Sequence, residues 1–256
     1  MQDTLGGRFK AIEAKWKAVI PAKGFMVVRV DGRAFHTWTR GLCKPFDPTF
    51  NSVMNGTAVA LCQNISGALC AYVQSDEISV ITTDLIHENT EAWFGGVVQK
   101  VVSVSAAIAT QVFNAAAEEG FVKFPVRPAH FDARVFPLET VGDVADYLRW
   151  RQTDCRRNAI SMLAHHYIGK NVIMGLGTRE RAGLLTAQGF DPESVDRGFL
   201  NGRLIHSVQE RGPVTFTHKR TQEEQTIEVE RFVWKAAPAE FLRNWFYDNH
   251  IERFGN

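Results

Sequence analysis

The run FMVVRV, Phe25 to Val30, constrains this chain more tightly than any other stretch. It is rich in β-branched residues and, Arg29 aside, apolar at both alternating sets of positions, with Pro21 and Gly24 before it and Asp31-Gly32 after it. Successive side chains of a strand point to opposite faces, so a strand that is apolar on both faces has to be covered on both. The neighbouring segments supply the layers. Val53, Met54, Thr57, Ala58, Leu61 and Ile65 recur at three- and four-residue steps and predict a helix from Thr49 to Ile65. ALCAYV and ISVITTD are β-like runs joined by QSDE, the pattern of a hairpin with carboxylates at its tip. The Ala- and Val-rich run from Gly95 to Ala117 contains no Pro and reads as a buried helix, and AHFDARVFPL reads as a strand. The order is β-α-β-β-α-β, the split unit of ferredoxin-like α+β sheets.

The flanks are different in character. Phe9, Ile12, Trp16 and Ile20 fall close to helical spacing and predict a short amphipathic helix before Pro21. From Thr140 the pattern becomes helical, with Asp143 near its start, Val144, Tyr147, Leu148, Ile160 and Leu163 as an apolar stripe, and Gly169 near its end. A helix at TRERAGLLTAQG, a Gly-rich passage around 197–203, and a hairpin made of VTFTHKR and TIEVERFVW follow. This divides the chain into 1–138 and a mostly helical 139–256 that carries the hairpin.

Composition narrows the class of function. At 256 residues, 45% hydrophobic and 22% charged, the chain has the make-up of an ordinary globular protein. No segment approaches the ~20 unbroken apolar residues of a membrane span, and the N-terminus lacks the apolar middle of a signal peptide. The expectation is a cytoplasmic protein with no membrane partner. Cys43, Cys62, Cys70 and Cys155 stand at no metal-ligand spacing and read as free thiols. A net charge of +1 does not by itself single out a nucleic-acid binder.

If the first and third strands lie side by side, Asp31 meets Asp76. A converging carboxylate pair can share a proton as an acid/base dyad or hold divalent cations against phosphate. Magnesium suits one or two carboxylates plus carbonyl and substrate oxygens, and Gly32 offers such a carbonyl. The plain alternative is that Asp-Gly is a turn dipeptide and SDE an ordinary hairpin tip. Lys44, Arg134, Arg151, Arg156 and Arg157 accompany the pair as cations, and on spacing alone both readings stay open. Of His165 and His166 near the end of the long helix, one is expected to face the core and the other solvent. Trp150, Trp234 and Trp245 read as packing anchors, Trp150 standing among arginines that suit RNA.

Taken together, LGGRFKAIE, VVRVDGRAFHTW, KPFDP, AYVQSDEISV, KVVSVSAAIAT, FDARVFPL and YLRWRQTDCRRNAI resemble the tRNA(His) guanylyltransferase family. Within it they look most like the guanylyltransferase-like branch of 3′-to-5′ RNA polymerases. They span roughly residues 4 to 160. The resemblance implies a polymerase-like palm with a helical C-terminal extension. It implies that Asp31, the Gly32 carbonyl and Asp76 hold two magnesium ions, with Glu77 as an adjacent acidic residue needed for catalysis. Gly32, Arg33, Ala34, Phe35 and His36 would cradle a nucleoside triphosphate, with further contacts from Ser75, Lys44, Arg134 and Asn158. The implied reaction activates a 5′-monophosphorylated tRNA end with ATP or GTP, attacks it with the 3′-hydroxyl of an incoming nucleotide, and removes pyrophosphate. A homotetramer, a dimer of dimers, is implied as well. Where eukaryotic members carry His-Ile-Asn-Asn this chain reads CRRNAI, which favours templated repair of truncated 5′ ends over non-templated guanosine addition. Two other readings stand beside this one: a non-catalytic RNA- or nucleotide-binding palm module, and a nucleotide cyclase-like enzyme.

Overall fold

A computed structural model describes residues 4–121, 127–217, 219–220 and 222–255. Phe25–Gly32 forms β1, and its two faces are covered as the sequence requires. Met26, Val28 and Val30 point into one core, under helices α3 (Pro48–Asn64) and α4 (Val98–Gly120). Phe25 and Val27 point into the other, under α5 (Val141–Tyr167) and α9 (Leu242–Phe254). The two-residue period of the strand has sorted one apolar run into two cores. The strands β2 (Ala68–Gln74), β3 (Glu77–Thr83) and β4 (Phe131–Leu138) complete the β-α-β-β-α-β unit.

All pairs are antiparallel, and the sheet order is β4-β1-β3-β2-β5-β6. The first four strands are the ferredoxin-like arrangement. The last two, β5 (Arg203–Thr217) and β6 (Glu224–Pro238), come from beyond residue 138 and extend the same sheet. Cys70 to Val73 pair with His206 to Arg203, after which β5 and β6 run on as a two-stranded arm. Both strands are longer than VTFTHKR and TIEVERFVW suggest, because Pro213 reads as a break yet sits inside β5 opposite Glu228. Pro removes one donor, and a two-stranded arm tolerates that loss. His218 and Thr221, at the tip of the predicted hairpin, lie outside the described residues.

Local chemistry sets the helix ends. Asp47 caps α3 by accepting from the Phe50 amide at 2.9 Å, and Thr140 with Asp143 makes a capping box on α5. The helix predicted from Gly95 begins at Val98, since Gly95 and Gly96 adopt φ of +58° and +70°. α4 is long and apolar enough to cross a membrane, but its Val101, Ala109, Phe113 and Ala117 stripe is buried in the core it shares with α3 and β1. Short helices α2 (Phe35–Trp38), α6 (Lys170–Ile173), α7 (Thr178–Ala187) and α8 (Arg197–Leu200) fill the connections, and Leu163, Leu185 and Leu200 form a small third core.

Three expectations need correction. Helix α1 (Leu5–Ala14) forms, but none of its residues is buried, and Leu5, Phe9, Ile12 and Trp16 all face outward. The chain is anchored only afterwards, where Ile20 enters the core and its amide donates to the Gly96 carbonyl at 2.9 Å. His165 and His166 are both exposed, because Leu163 and Ala164 take the buried side of the last turns of α5 and leave the histidines on the outer side. Trp234 and Trp245 pack against the cores as anchors, whereas Trp150 is exposed.

Phe35, Trp38, Phe50, Phe113 and Phe131 form an aromatic cluster in the core beneath β1. Phe113→Ala should destabilise the fold by about 3–5 kcal/mol in urea unfolding, the usual cost of emptying a buried aromatic site. Phe232→Ala, on the exposed arm, should change it by less than about 0.5 kcal/mol.

Candidate active site

The end of β1 places Asp31 between Glu77 of β3 and Asp132 of β4, the register partners on either side. Direct partners of an antiparallel pair project to the same face, so three carboxylates share one patch. The β2–β3 turn brings a fourth. Gln74 pairs with Glu77, Ser75 takes φ +46°, and the Gly32 amide donates to the Asp76 carbonyl at 3.1 Å, stitching the turn to the end of β1. The Ser75 hydroxyl donates to the Asp76 carboxylate at 2.8 Å. A left-handed Ser costs backbone energy, of a kind that collects at functional sites.

Gly32 is required by packing. A Cβ there would stand 2.3 Å from the Phe35 ring, which is buried in the aromatic cluster. The Phe35 side chain is therefore core, and the loop presents its backbone and the exposed Arg33, Ala34 and His36 side chains to a ligand. Ala34 adopts φ +57°, turning the chain into α2. The amides of Ala34, Phe35 and His36 have no backbone partner among the described residues. Successive free amides of this kind make an anion-binding concavity.

Arg151 of α5 grips Glu77 with both arms of its guanidinium, Nε to Oε1 at 2.8 Å and Nη2 to Oε2 at 3.0 Å, and reaches Asp154 at 3.1 Å. The Gln74 amide adds a donation to Glu77 at 3.2 Å. Glu77 is thus committed to protein donors, while among the described residues Asp76 has no ion-pair partner and Asp31 has only the distant Arg134. Arg134 stands 3.9 Å from Asp31 and 3.4 Å from Asp132. Burial pushes the Asp76 carboxyl above its ordinary value; the Ser75 hydroxyl works against that, and the neighbouring Asp31 and Glu77 charges add to it. Burial raises Glu77 as well, with Arg151 opposing.

Beside this patch, between the start of α3 and the middle of α5, opens a cavity of about 410 Å³. Asp31, Lys44, Ser75, Asp76, Glu77 and Asn158 line it, so six of the predicted residues converge. Gly32, Arg33, Ala34, Phe35 and His36 do not line it; their loop continues from Asp31 into α2. Arg134 does not line it either and lies on the β4 side of Asp31. The wall also holds Arg151, named from the sequence only as a cation accompanying the carboxylate pair, and Asp47, Gln74, Asp154 and Arg203, which the sequence did not assign to the site. Asp47 and Arg151 lie within KPFDP and WRQTD, the signal that could have marked them. Arg203 had no motif. Burial pulls its guanidinium down to about 10, and Asn55 at 2.7 Å and the Gly198 carbonyl at 3.1 Å hold it.

Among the described residues no three His, Cys, Asp or Glu side chains form a closed metal cage. Asp31 and Asp76 with the Gly32 carbonyl are instead a sparse set of hard oxygens, which suits magnesium, an ion that keeps water and substrate oxygens in its shell. Burial, and after it the neighbouring Asp31 and Glu77 charges, disfavour the ionised Asp76 carboxylate, and a bound cation would offset both.

The profile of the family described as tRNAHis guanylyltransferase matches residues 6–139. Among solved structures, the chain is similar to a bacterial tRNA(His) guanylyltransferase-like protein in complex with ATP, with TM-score 0.82, 29% identity and 99% of each chain covered. It is similar also to a bacterial protein of the same description in complex with GTP, with TM-score 0.72, 29% identity and 98% of each chain covered. It is 28% identical over 230 residues to tRNA(His) guanylyltransferase 1 of Arabidopsis thaliana, a match covering 82% of this chain and 39% of that protein. The chain thus spans about two-fifths of the length of that plant relative.

A carboxyl raised by burial carries no penalty below its ordinary pKa of 3.8; the penalty grows as pH rises and is complete above the elevated value. In metal-free buffer Asp76→Asn should therefore melt at a higher temperature than the parent at about pH 7.5, with the difference gone below about pH 3.8. Magnesium chloride should raise the melting temperature of the parent and not of the variant.

Proposed function

The chain belongs to the tRNA(His) guanylyltransferase family, and on that footing we propose that it is a nucleotidyltransferase adding nucleotides to the 5′ end of tRNA in the 3′-to-5′ direction. The observation that carries the reading is the convergence of Asp31 and Asp76 at the mouth of a cavity large enough for a nucleotide, with Lys44 and Asn158 on its wall. Asp31, Asp76 and the Gly32 carbonyl would hold two magnesium ions, whose chemistry is to acidify an attacking hydroxyl and neutralise departing phosphates. Glu77, locked by Arg151, sets the position of the turn that carries Asp76. The free amides after Gly32 would take triphosphate oxygens, and Arg134 beside Asp31 would meet the phosphate of the RNA end. A two-metal site of this kind requires no protein nucleophile, and the attacking group would be the hydroxyl of the incoming nucleotide.

The finer features are part of the same proposal. Relatives described in complex with ATP and with GTP support either nucleotide as activator. Templated repair of shortened 5′ ends is favoured because the chain reads CRRNAI where eukaryotic members carry His-Ile-Asn-Asn, keeping only Asn158 of that element. The outward apolar row of α1 supports assembly into a tetramer.

The test is turnover on a 5′-truncated, 5′-monophosphorylated tRNA with magnesium and all four triphosphates. Extension should follow base pairing with the 3′ strand. Asp31→Ala and Asp76→Ala should each cost more than the roughly 100-fold typical of losing an outer partner of a metal site, with RNA affinity largely kept. Extension that ignores the opposing base contradicts the repair reading, and no transfer to any 5′ end contradicts the whole.

A further inference from the structure

Trp150 does not line the cavity. It is 56% exposed, on a helix whose other large apolar residues at this level are buried, and it stands on the flank of α5 that faces β4. That flank is identified by Tyr147, one turn earlier, whose ring meets Phe136 of β4 at 5.5 Å and Trp150 at 5.9 Å. The indole is braced. The Arg151 guanidinium lies over its ring at 4.4 Å, and that guanidinium is itself fixed by Glu77 and Asp154. Arg151 does not need the indole for charge, since two carboxylates already satisfy it. What the contact does is hold one face of a large flat ring still while much of the residue stays open to solvent.

Two arginines lie on the sheet face that this flank covers. Arg29 of β1 and Arg134 of β4 are direct register partners, so two cations project side by side from the strands next to α5. Like charges directly opposed across a strand pair are unfavourable without an anion between them. Asp31 and Asp132 are the next register pair on the same face, and they take up part of the Arg134 charge. Arg29 has no ion pair within 4 Å among the described residues, although its charge acts on Glu77 from farther away, and its buried Nε has no hydrogen-bond partner there. A braced aromatic face beside paired arginines is the combination that binds an unstacked base and its phosphate.

We propose that Trp150 is the platform on which the 5′-terminal base of the RNA stacks, with its phosphate over Arg29 and Arg134. This rests on the reading that the chain acts on RNA 5′ ends. It assigns the two sides of Asp31 to different ligands: the nucleotide occupies the cavity, and the RNA end arrives from the β4 side. Stacking is indifferent to base identity, which suits an end whose sequence varies.

The test compares two 5′-monophosphorylated tRNAs that differ only in whether the 5′-terminal nucleotide carries a base or is abasic. The parent protein should bind the base-carrying RNA more tightly by about tenfold, the scale of one stacked base. Trp150→Leu, which keeps apolar bulk without a π face, should bind both equally at the abasic level, while Trp150→Phe keeps most of the preference. ATP affinity and melting temperature should be unchanged in both variants. Equal weakening of both RNAs by Trp150→Leu, or no change in either, overturns the platform. A parent protein that extends both RNAs without preference also overturns it and leaves the transferase reading intact, whereas failure to bind or extend either RNA brings down both.

Discussion

The ion pair between Arg151 and Glu77 is the interaction on which the site depends. It joins the middle of α5 to the first residue of β3, and both side chains are almost closed to solvent, at 7% and 12% exposure. A buried carboxylate without a partner is costly, and breaking such a pair from one side commonly costs about 3–5 kcal/mol. The pair therefore fixes the hairpin tip against the helix. Because Asp76 immediately precedes Glu77, fixing one places the other, and the bond from Gly32 to the Asp76 carbonyl then ties that tip to β1. Arg151 also braces Trp150 and engages Asp154, so one guanidinium organises the cavity wall and the outer face of α5 together.

The second support is apolar. Gly32 lies against the Phe35 ring, and that ring packs with Trp38, Phe50, Phe113 and Phe131 under the sheet. The loop after Asp31 is thereby pulled down onto the core, with the amides of Ala34, Phe35 and His36 lacking a backbone partner among the described residues. A carboxylate at a strand end would ordinarily be a mobile turn residue. Here the strand before it and the ring after it are both immobilised by close packing.

Much of this was legible in the sequence. Apolar residues on both faces of Phe25 to Val30 require two covering layers, and the QSDE hairpin supplies a carboxylate at the right strand end. The Asp-Gly pair alone read equally well as a turn. Its partner could not be read from spacing, since Arg151 is 74 positions from Glu77 and only the tertiary fold joins them. The extension of the sheet by β5 and β6 was hidden by Pro213, and the outward row of α1 was hidden because periodicity reports that a helix has an apolar side, not what that side meets. Arg203 was invisible for a similar reason: a buried arginine has no local pattern, only partners distant in sequence.

The most direct test of the central claim is a double-mutant cycle on Glu77→Gln and Arg151→Met, read as the rate of nucleotide addition to a 5′-truncated tRNA. If the two side chains act as one unit that positions Asp76, either variant alone should lose about as much as the double variant. Losses that multiply, or an Arg151→Met variant as fast as the parent while Glu77→Gln is inactive, would mean that Glu77 acts independently of Arg151 and would contradict the account.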